Sequence, residues 1–322
     1  MNILITGCAG FIGFHLVKKL CNRKNTKVIG IDNINSYYDV KLKKSRLNII
    51  EKIHNFNFYK IDINNLSKLE KIIKNHKIDQ IIHLAAQAGV RYSILNPKTY
   101  LDNNVNSFFN ILECAKNYKI KKLIYASSSS VYGSRKKFPL FEDDKTDEPQ
   151  SFYAATKKCN EIMAYSYSAI YNLNCIGLRF FTVYGPYGRP DMSLYKFVDS
   201  IYKNKKIDLY NYGNHYRDFT YVDDVIDSIE KIILIKQKSK IPYNIINIGS
   251  NNPLSLKKYL SMIEKIIGKK AKVRKLPFQK GDSIKTHASN RKLFKKISYK
   301  PNTNLLTGLE QFINWYKKYN NL

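Results

Sequence analysis

A tyrosine and a lysine four residues apart offer the clearest chemistry in this sequence. Tyr153 and Lys157 fall in a segment whose apolar pattern predicts a helix over Ser151–Tyr171, so their side chains share one face. A free phenol has a pKa of about 10, and a nearby ammonium favours the phenolate. The pair predicts proton transfer at a substrate hydroxyl, with Lys157 lowering the pKa of Tyr153. The same spacing also arises by chance on amphipathic helices, so the motif depends on its context.

Three glycines follow the first predicted strand, Asn2–Thr6, and open a predicted helix over Phe11–Cys21. Among Gly7, Gly10 and Gly13, one allows a tight turn and another lets a pyrophosphate approach the helix N-terminus. The third allows close packing of helix on strand. The spacing is GxxGxxG, which alone is a weak signal because glycine turns are often only structural. Between a strand and a helix it predicts a dinucleotide site.

An aspartate closes the second predicted strand, Lys27–Ile31. The carboxylate of Asp32, about 20 residues beyond the glycine turn, can accept hydrogen bonds from an adenosine ribose and would repel a 2′-phosphate. Taken alone, Asp32 could equally be a strand-end turn residue. Together with the glycine turn it predicts NAD, not NADP, as the cofactor.

A run of serines ends another predicted strand, Lys121–Ser127. The carboxyl ends of strands in a doubly wound sheet face the ligand crevice. A hydroxyl at Ser128, Ser129 or Ser130 could therefore hydrogen-bond the substrate oxygen that gains or loses a proton. Serine runs are usually loops, but this one begins inside an apolar strand.

Short apolar runs alternate with amphipathic segments through the first half of the chain, which is typical of βαβ units and a parallel sheet. Continuous apolar strands imply a sheet covered on both faces. Further strands are predicted over Phe56–Ile61, Gln80–Leu84, Asn174–Phe180 and Tyr243–Ile248. Further helices are predicted over Asn65–Asn75, Asn103–Asn117, Asp218–Leu234, Leu256–Ile267 and Leu305–Tyr319.

The expected fold is α/β, a Rossmann-like doubly wound parallel sheet with a smaller, interleaved C-terminal substrate lobe. After Phe180 the pattern loosens into a Gly-, Pro- and Tyr-rich stretch, where the second lobe is expected to begin. Residues 1–181 are assigned to an NAD-binding Rossmann domain, to which about 219–249 return. Residues 182–218 and 250–322 are assigned to the substrate-binding lobe.

A formal net charge of +30 first suggests a nucleic-acid partner. The lysines, however, are spread along the whole chain beside Asn, Ile and Tyr, which indicates a bias of composition. Clusters such as Lys41–Arg46 and Lys265–Lys275 are interpreted as solvated faces, so no nucleic-acid partner is expected. A positive field would still attract an anionic substrate such as a nucleotide diphosphate.

Cysteine usage and hydropathy exclude several other classes. The cysteines are scattered, with no CxxC pair and no adjacent histidine, which argues against a disulfide framework or a zinc site, and no metal is expected. No apolar run approaches the roughly 20 residues of a membrane span. The first residues lack the basic region and cleavage site of a signal peptide. We expect a cytoplasmic protein with reduced, partly buried thiols and no membrane partner.

Together these motifs resemble the extended short-chain dehydrogenase/reductase family and, more narrowly, the UDP-glucuronate 4-epimerases. The similarity runs the whole length of the chain. It includes GFIGFH (10–15), HLAAQAGVR (83–91), SSSSVYG (127–133), YAATKK (153–158), GLRFFTVYGPYGRPDM (177–192) and RDFTYVDD (217–224). A set of this length and order is highly specific for the superfamily and fairly specific for the subfamily.

The resemblance implies a role for each matching residue. The catalytic residues would be Ser128, Tyr153 and Lys157, with Tyr153 as the acid/base. The cofactor-binding residues would be Gly7, Gly10, Phe11, Ile12, Gly13, Asp32, Asn33, Asp62, Ile63, Leu84, Ala85, Ala86, Gln87, Asn104, Tyr153, Lys157 and Phe180. The substrate-binding residues would be Arg91, Ser128, Ser129, Ser130, and the UDP contacts Thr182, Arg189, Arg217 and Asp282.

The implied reaction is NAD-dependent 4-epimerisation of a UDP-sugar, here UDP-glucuronate to UDP-galacturonate, through a transient 4-keto intermediate. Related 4,6-dehydratases carry an acidic pair at the positions of Ser129 and Ser130, and UDP-glucuronate decarboxylases carry a glutamate at the second. Two serines at these positions therefore favour an epimerase. Arg91 could pair with a substrate carboxylate, although a structural role is equally open. Arg179, inside a strand, is expected to be structural.

Other functions stay open at this level. A UDP-glucose or UDP-N-acetylhexosamine 4-epimerase would use the same Tyr–Lys pair, and a nonenzymatic NAD-binding protein could share the fold. A basic RNA-binding protein would instead bind polyanions with strong salt dependence. The resemblance also implies a homodimer packed through Asn103–Asn117 and Ser151–Tyr171, and a product used for surface polysaccharide biosynthesis.

Overall fold

The centre of the molecule is a parallel sheet of seven strands. The computed structural model describes residues 1–237, 239–279 and 281–322. Parallel neighbours need crossover connections, which the helices between the strands supply. From one edge to the other the strands are Tyr243–Ile248, Cys175–Phe180, Lys122–Ser128, Gln80–His83, Asn2–Thr6, Lys27–Asp32 and Phe56–Lys60.

The strand order reverses at Asn2–Thr6, which pairs with Lys27–Asp32 on one side and with Gln80–His83 on the other. The chain extends the sheet outward from this strand as far as Phe56–Lys60 and then crosses back to build the other half. Ligands of doubly wound sheets bind at such a reversal, outside the carboxyl ends of the strands. The topology therefore places a binding crevice beside the glycine turn.

Helices cover both faces of this sheet because successive strand residues point to opposite sides. Ile3 and Ile5 belong to an apolar cluster with Phe14, whereas Leu4 belongs to a second cluster with Phe108. The doubly wound α/β fold predicted from the sequence is thereby confirmed. The α-helices span Phe11–Cys21, Val40–Ile50, Leu66–His76, Val90–Leu95, Pro97–Tyr100, Ser107–Asn117, Phe152–Tyr171, Ser193–Tyr202, Val222–Ile233, Leu256–Ile267, Arg291–Ile297 and Leu305–Tyr319.

The segment predicted as a helix over Asp218–Leu234 contains two elements. Strand Tyr216–Tyr221 pairs with Thr182–Tyr184 and with Pro253–Ser255, and the helix then spans Val222–Ile233. The Phe-Thr-Tyr run at its start favours extended structure, and strand pairing satisfies its backbone groups. The prediction of a helix at the start of this segment was wrong.

The helix predicted over Asn103–Asn117 begins with an irregular turn. A π-helical turn spans Leu101–Asn106 and is followed by regular α-helix over Ser107–Asn117. Such turns widen a helix locally and often occur near functional sites. This one places Asn104 against the wall of the crevice described below.

The remaining strands lie outside the central sheet. Lys206–Leu209 pairs in parallel with Lys272–Lys275, separately from the three-stranded sheet around Tyr216–Tyr221. Tyr243–Ile248 returns to the central sheet beside Cys175–Phe180. These positions are compatible with the two lobes expected from the sequence, whose boundaries stay a prediction.

One of the two lysine-rich clusters, Lys41–Arg46, is not the fully solvated face that was predicted. Lys43 and Arg46 are buried, with 5% and 0% of their surface exposed, because helix Val40–Ile50 turns this side toward the glycine turn. The Arg46 guanidinium donates to the carbonyl of Ala9 over 2.8 Å. In the other cluster, Lys272–Lys275 is exposed as expected.

The state of the cysteines and the length of the helices concern two classes excluded above, disulfide-linked proteins and membrane-spanning proteins. Cys8, Cys21, Cys114 and Cys175 are buried free thiols, and Cys159 is half-buried. Among residues 1–237, 239–279 and 281–322, the structure contains no helix long and apolar enough to traverse a lipid bilayer.

Candidate active site

A cavity of about 1030 Å³ opens at the carboxyl ends of the central strands. Every central strand except the edge strand Tyr243–Ile248 contributes residues to its wall at or just after the point where the strand ends, as expected at the reversal of strand order. All the predicted site residues except Asn104 lie on this wall. They are Gly7, Gly10, Phe11, Ile12, Gly13, Asp32, Asn33, Asp62, Ile63, Leu84, Ala85, Ala86, Gln87, Arg91, Ser128, Ser129, Ser130, Tyr153, Lys157, Phe180, Thr182, Arg189, Arg217 and Asp282.

The glycine turn is shaped by backbone contacts that exclude side chains. Gly7 has φ of +73°, and a Cβ there would lie 2.8 Å from the amide nitrogen of Ala85. A Cβ on Gly13 would lie 2.1 Å from the carbonyl oxygen of Gly7, so helix and strand pack closely. The Gly10 amide donates to the same carbonyl over 2.9 Å. The turn leaves the start of helix Phe11–Cys21 on the cavity wall, where helix amides and dipole favour a pyrophosphate.

Asp32 is held by backbone donors at the end of its strand. Its carboxylate accepts from the amides of Ala9 over 3.1 Å and Ile34 over 2.8 Å. Burial raises the pKa of Asp32, while these amides and the charge of Lys43 oppose the shift. Lys43, which the sequence analysis left on the surface, lines the cavity and donates to both oxygens of Asn35. Burial lowers the pKa of Lys43 to about 8, opposed by the charge of Asp32.

The Tyr–Lys helix spans Phe152–Tyr171 and begins at a cap, since the Ser151 hydroxyl accepts from the Ala154 amide. Tyr153 faces the cavity, and the Lys157 ammonium donates to the carbonyl of Ala126 over 2.9 Å. Burial lowers the pKa of Lys157 to about 8.

The electrostatics of Tyr153 differ from the expectation. Burial raises its pKa, and the opposing influences are a hydrogen bond with Ser128 and the charge of Arg189. Lys157 was predicted to lower this pKa, yet its ammonium is directed to a backbone carbonyl of the neighbouring strand. Desolvation of the buried phenol therefore outweighs the stabilisation of its anion in this structure.

The serine run bends away from its strand immediately after Ser128. Strand Lys122–Ser128 continues into a 3₁₀ turn over Ser129–Tyr132, and the Ser128 hydroxyl accepts from the Ser130 amide over 3.1 Å. The Ser128 hydroxyl also lies 3.1 Å from the Ser130 hydroxyl. The cavity wall beside Tyr153 thus carries neutral hydroxyls at the positions where the related dehydratases and decarboxylases carry acids.

Basic side chains converge on Asp282 at another part of the wall. An Arg217 nitrogen lies 2.7 Å from one carboxylate oxygen of Asp282, and an Arg91 nitrogen lies 3.8 Å from the other. The Arg91 guanidinium also stacks over the ring of Tyr210 at 4.1 Å. Arg91 was considered as a partner of the substrate carboxylate. It lies instead beside Arg217 and Asp282, which the resemblance assigns as UDP contacts.

Arg189 is positioned by two residues that the sequence analysis did not select. Its guanidinium pairs with both carboxylate oxygens of Asp191, over 2.9 and 2.5 Å, and the Tyr37 hydroxyl donates to Asp191 over 3.2 Å. Burial disfavours charge on Asp191, but the charge and hydrogen bonds of Arg189 bring its pKa below the ordinary value. Asp191 stands two residues after Arg189 in a quoted motif, whereas Tyr37 carries no local signal.

Asn104 lies behind the cavity wall, not on it. Its side-chain oxygen accepts from the Gln87 amide over 2.8 Å, and its nitrogen donates to the Gln87 carbonyl over 3.0 Å. The same nitrogen lies 3.0 Å from the Thr156 hydroxyl on the Tyr–Lys helix. Asn104 thus joins the loop around Gln87 to the helix that carries Tyr153 and Lys157.

The comparisons with known proteins agree with this geometry. The model of the NAD dependent epimerase/dehydratase family matches residues 3–249. Protein CapI of Staphylococcus aureus is 47% identical, covering 99% of each chain. A UDP-glucuronate 4-epimerase of Thermodesulfobacterium geofontis is 43% identical, covering 98% of this chain and 96% of the relative.

A solved structure is similar over the same extent. UDP-glucuronic acid 4-epimerase from Bacillus cereus, in complex with UDP-glucuronic acid and NAD, superimposes with a TM-score of 0.93 at 35% identity. The alignment covers 99% of this chain and 100% of that one. Together with the strand order, the glycine turn and the Tyr–Lys helix, these matches confirm the resemblance, and the chain belongs to the NAD dependent epimerase/dehydratase family within the extended short-chain dehydrogenases/reductases.

Proposed function

We propose that this enzyme catalyses NAD-dependent 4-epimerisation of a UDP-sugar and that UDP-glucuronate, converted to UDP-galacturonate, is its substrate. The observation that carries the proposal is one cavity lined by the glycine turn, the Tyr153–Lys157 pair and the basic group around Arg217. Such a cavity has room for a dinucleotide and a sugar nucleotide together. The similarity to enzymes named UDP-glucuronate 4-epimerase supports the choice of sugar.

The residues at the reversal of strand order fit NAD. The glycine turn packs too closely on its own backbone and on Ala85 to admit any Cβ, and the Asp32 carboxylate suits ribose hydroxyls. When bound there, NAD would accept the hydride from the sugar C4 and return it. The residues that would hold it are Gly7, Gly10, Phe11, Ile12, Gly13, Asp32, Asn33, Asp62, Ile63, Leu84, Ala85, Ala86, Gln87, Tyr153, Lys157 and Phe180, with Asn104 supporting Gln87.

In this proposal Tyr153 moves the proton. Its oxygen, ionised as the phenolate, would take the proton of the sugar 4-hydroxyl and later return one to the same oxygen. The Ser128 hydroxyl, which acts to lower the pKa of that phenol, would orient the sugar oxygen. Lys157, fixed on the Ala126 carbonyl, would keep positive charge beside the reacting groups. Because the proton and hydride both come back, the cycle needs no second substrate.

Epimerisation requires the nucleotide to stay bound while the 4-keto sugar turns. Arg217 and Arg189, with Thr182 and Asp282, would anchor the UDP moiety, so that remote binding energy retains the intermediate. Ser129 and Ser130 present neutral hydroxyls to the sugar, which tolerate a carboxylate better than acidic residues would. This difference favours an epimerase over a dehydratase or a decarboxylase.

The decisive experiment is an assay of the purified protein with NAD on UDP-glucuronate, UDP-glucose and UDP-N-acetylglucosamine. We expect UDP-galacturonate to form from UDP-glucuronate, resolved by anion-exchange chromatography. Turnover of only the uncharged sugars would reassign the substrate. NAD binding without turnover of any of the three sugars would instead indicate a nonenzymatic NAD-binding protein.

We also propose the two-lobe division and the homodimer expected from the sequence. Residues 1–181 and about 219–249 would bind NAD, and residues 182–218 and 250–322 would bind the nucleotide sugar. For the dimer, Phe109 and Ile162 are 48% and 60% exposed on the two helices concerned, Ser107–Asn117 and Phe152–Tyr171. Exposed apolar side chains on adjacent helices suit a second copy of the chain.

A cytoplasmic location and a contribution to surface polysaccharide biosynthesis complete the proposal. UDP-sugars are soluble anionic substrates, and the cavity contains the basic residues that such a substrate needs. Deleting the gene should remove galacturonic acid from the surface polysaccharide of the source cell. An unchanged sugar composition would contradict this biological role without bearing on the enzymatic reaction.

A further inference from the structure

One histidine on the cavity wall has no role in the proposed reaction. His215 precedes strand Tyr216–Tyr221 and exposes 3% of its side chain. Its Nε2 atom is buried and has no hydrogen-bond partner within residues 1–237, 239–279 and 281–322. Buried polar atoms are normally paired, so an unpaired ring nitrogen on a cavity wall is a candidate contact for a ligand.

The surroundings of His215 favour an anion as that ligand. Its Nε2 lies 3.9 Å from a carboxylate oxygen of Asp282, which also receives Arg217 at 2.7 Å and Arg91 at 3.8 Å. Two guanidinium groups therefore face a single carboxylate beside the imidazole. The unbalanced positive charge attracts a further negative group to this part of the wall.

The same neighbours set the charge of the imidazole. Burial lowers the pKa of His215, Arg217 and Arg91 lower it further, and Asp282 and the Tyr210 backbone oppose them. The ring of Phe278, 5.9 Å away between centroids, covers one side with apolar surface. A diphosphate placed beside Arg217 would add negative charge close to the imidazole and favour its protonated form.

We propose that His215 is a binding residue for the diphosphate of the nucleotide sugar and takes up a proton as the substrate binds. Nε2–H of the imidazolium donates to a diphosphate oxygen, and the proton comes from the buffer. The inference rests on the proposed function, because it takes Arg217 and Asp282 as contacts of the UDP moiety.

Proton uptake by His215 on binding makes the affinity for the substrate depend on pH. Burial makes the imidazole less basic in the free enzyme than it becomes beside a diphosphate, so the complex binds more protons. Affinity must therefore fall as pH rises through the range in which the complex loses that proton. A change of one pKa unit on binding corresponds to a change of about tenfold in the dissociation constant.

Isothermal titration calorimetry of UDP-glucuronate binding to the NAD-loaded protein tests this dependence of affinity on pH. A Tyr153→Phe background slows turnover by at least about 100-fold, and the substrate's own carboxylate and diphosphate keep their charge between pH 6 and pH 8. Titrations at both pH values, each in two buffers of different ionisation enthalpy, count the protons taken up. We expect uptake of a measurable fraction of a proton and a dissociation constant about three- to tenfold higher at pH 8.

A second substitution assigns the proton. His215→Gln should reduce the proton uptake and flatten the pH dependence of the dissociation constant, leaving only the contribution of Lys157 and Lys43, whose pKa values near 8 on the same wall are unchanged. The matched control is His287→Gln, since His287 bonds Asn251 away from the cavity wall and should leave both quantities unchanged. His215→Asn provides a second variant if the glutamine protein does not fold.

The contrary results distinguish a failure of the role of His215 from a failure of the proposed substrate. No proton uptake by the protein with His215 intact, or unchanged uptake after His215→Gln, would overturn the role of His215 while leaving the proposed function in place. No binding of UDP-glucuronate at either pH would overturn the proposed substrate and this inference with it.

Discussion

Tyr153 is the residue on whose hydroxyl the proposed chemistry depends. We expect Tyr153→Phe to lower kcat by at least about 100-fold, because a positioned general acid–base group contributes about 10²–10⁴-fold. NAD should stay bound, since the glycine turn and Asp32 are unchanged by the substitution. Turnover of UDP-glucuronate and the NAD content of the purified protein measure the two effects.

The control for Tyr153 is an equivalent change elsewhere on the same helix. Tyr171 is 49% exposed at the end of Phe152–Tyr171 and does not line the cavity. Tyr171→Phe should keep the parental kcat. Activity retained by Tyr153→Phe would mean that another group transfers the proton.

Arg179 and Glu161 form a buried pair behind the serine run. Two hydrogen bonds of 2.8 Å join them, each side chain is only 4% exposed, and the Ser127 hydroxyl donates to Glu161 over 2.6 Å. Arg179 is thus structural, as predicted. Glu161→Ala would leave a buried guanidinium without its partner and should lower the free energy of unfolding by about 3–5 kcal/mol.

Urea unfolding monitored by circular dichroism measures this loss. The exposed pair between Lys270 and Glu264 provides the comparison, because the Lys270 side chain is 86% exposed. Lys270→Gln should change the midpoint little, as surface pairs contribute weakly. Equal effects of the two substitutions would show that burial does not set the strength of the Arg179–Glu161 pair.

At the scale of elements, Lys122 holds the end of a helix against the central sheet. Its ammonium, on strand Lys122–Ser128, donates to the carbonyls of Ile233 and Ile235 over 2.5 and 2.7 Å, at the end of Val222–Ile233. The last carbonyls of a helix have no partner within the helix, and the helix dipole favours a cation there. The lysine therefore fastens this helix to the sheet.

Lys122→Met should preserve the aliphatic packing and leave those carbonyls unpaired. We expect the free energy of unfolding to fall by about 1–3 kcal/mol, measured by urea unfolding. Lys121→Met is the matched control, since the Lys121 side chain is 75% exposed and pairs with Asp79 at the surface. Faster amide hydrogen exchange at the end of helix Val222–Ile233 would show that the loss of stability arises there. An unchanged free energy of unfolding would contradict the role given to Lys122.

At the scale of the whole molecule, the exposed apolar surface on the two helices bearing Phe109 and Ile162 predicts association. Ile162→Asp would bury a charge in the proposed interface and should convert the dimer to a monomer. Light scattering coupled to size exclusion measures the mass. Leu234→Asp, at a residue 59% exposed after a different helix, should leave the dimer intact. A monomeric parent protein would contradict the proposed homodimer.

Much of the fold follows from local patterns. The helices Leu256–Ile267 and Leu305–Tyr319 begin and end where periodicity predicts, because their apolar stripes and flanking caps lie within a few residues. At the start of Asp218–Leu234 the same kind of pattern predicts a helix, whereas the structure has a strand. There the chain is extended because two strands distant in sequence pair with it.

The parallel α/β architecture, the glycine turn and the Tyr153–Lys157 pair can be read from the amino-acid sequence, since each depends on spacing within one or two elements. How these groups meet depends on the packing of distant elements and becomes visible in the folded chain. Burial of Lys43 and Arg46, and the unpaired Nε2 of His215 beside Asp282, come from side chains far apart in the chain. The physical reason is that burial and charge balance depend on which elements pack together, and no local pattern encodes those neighbours.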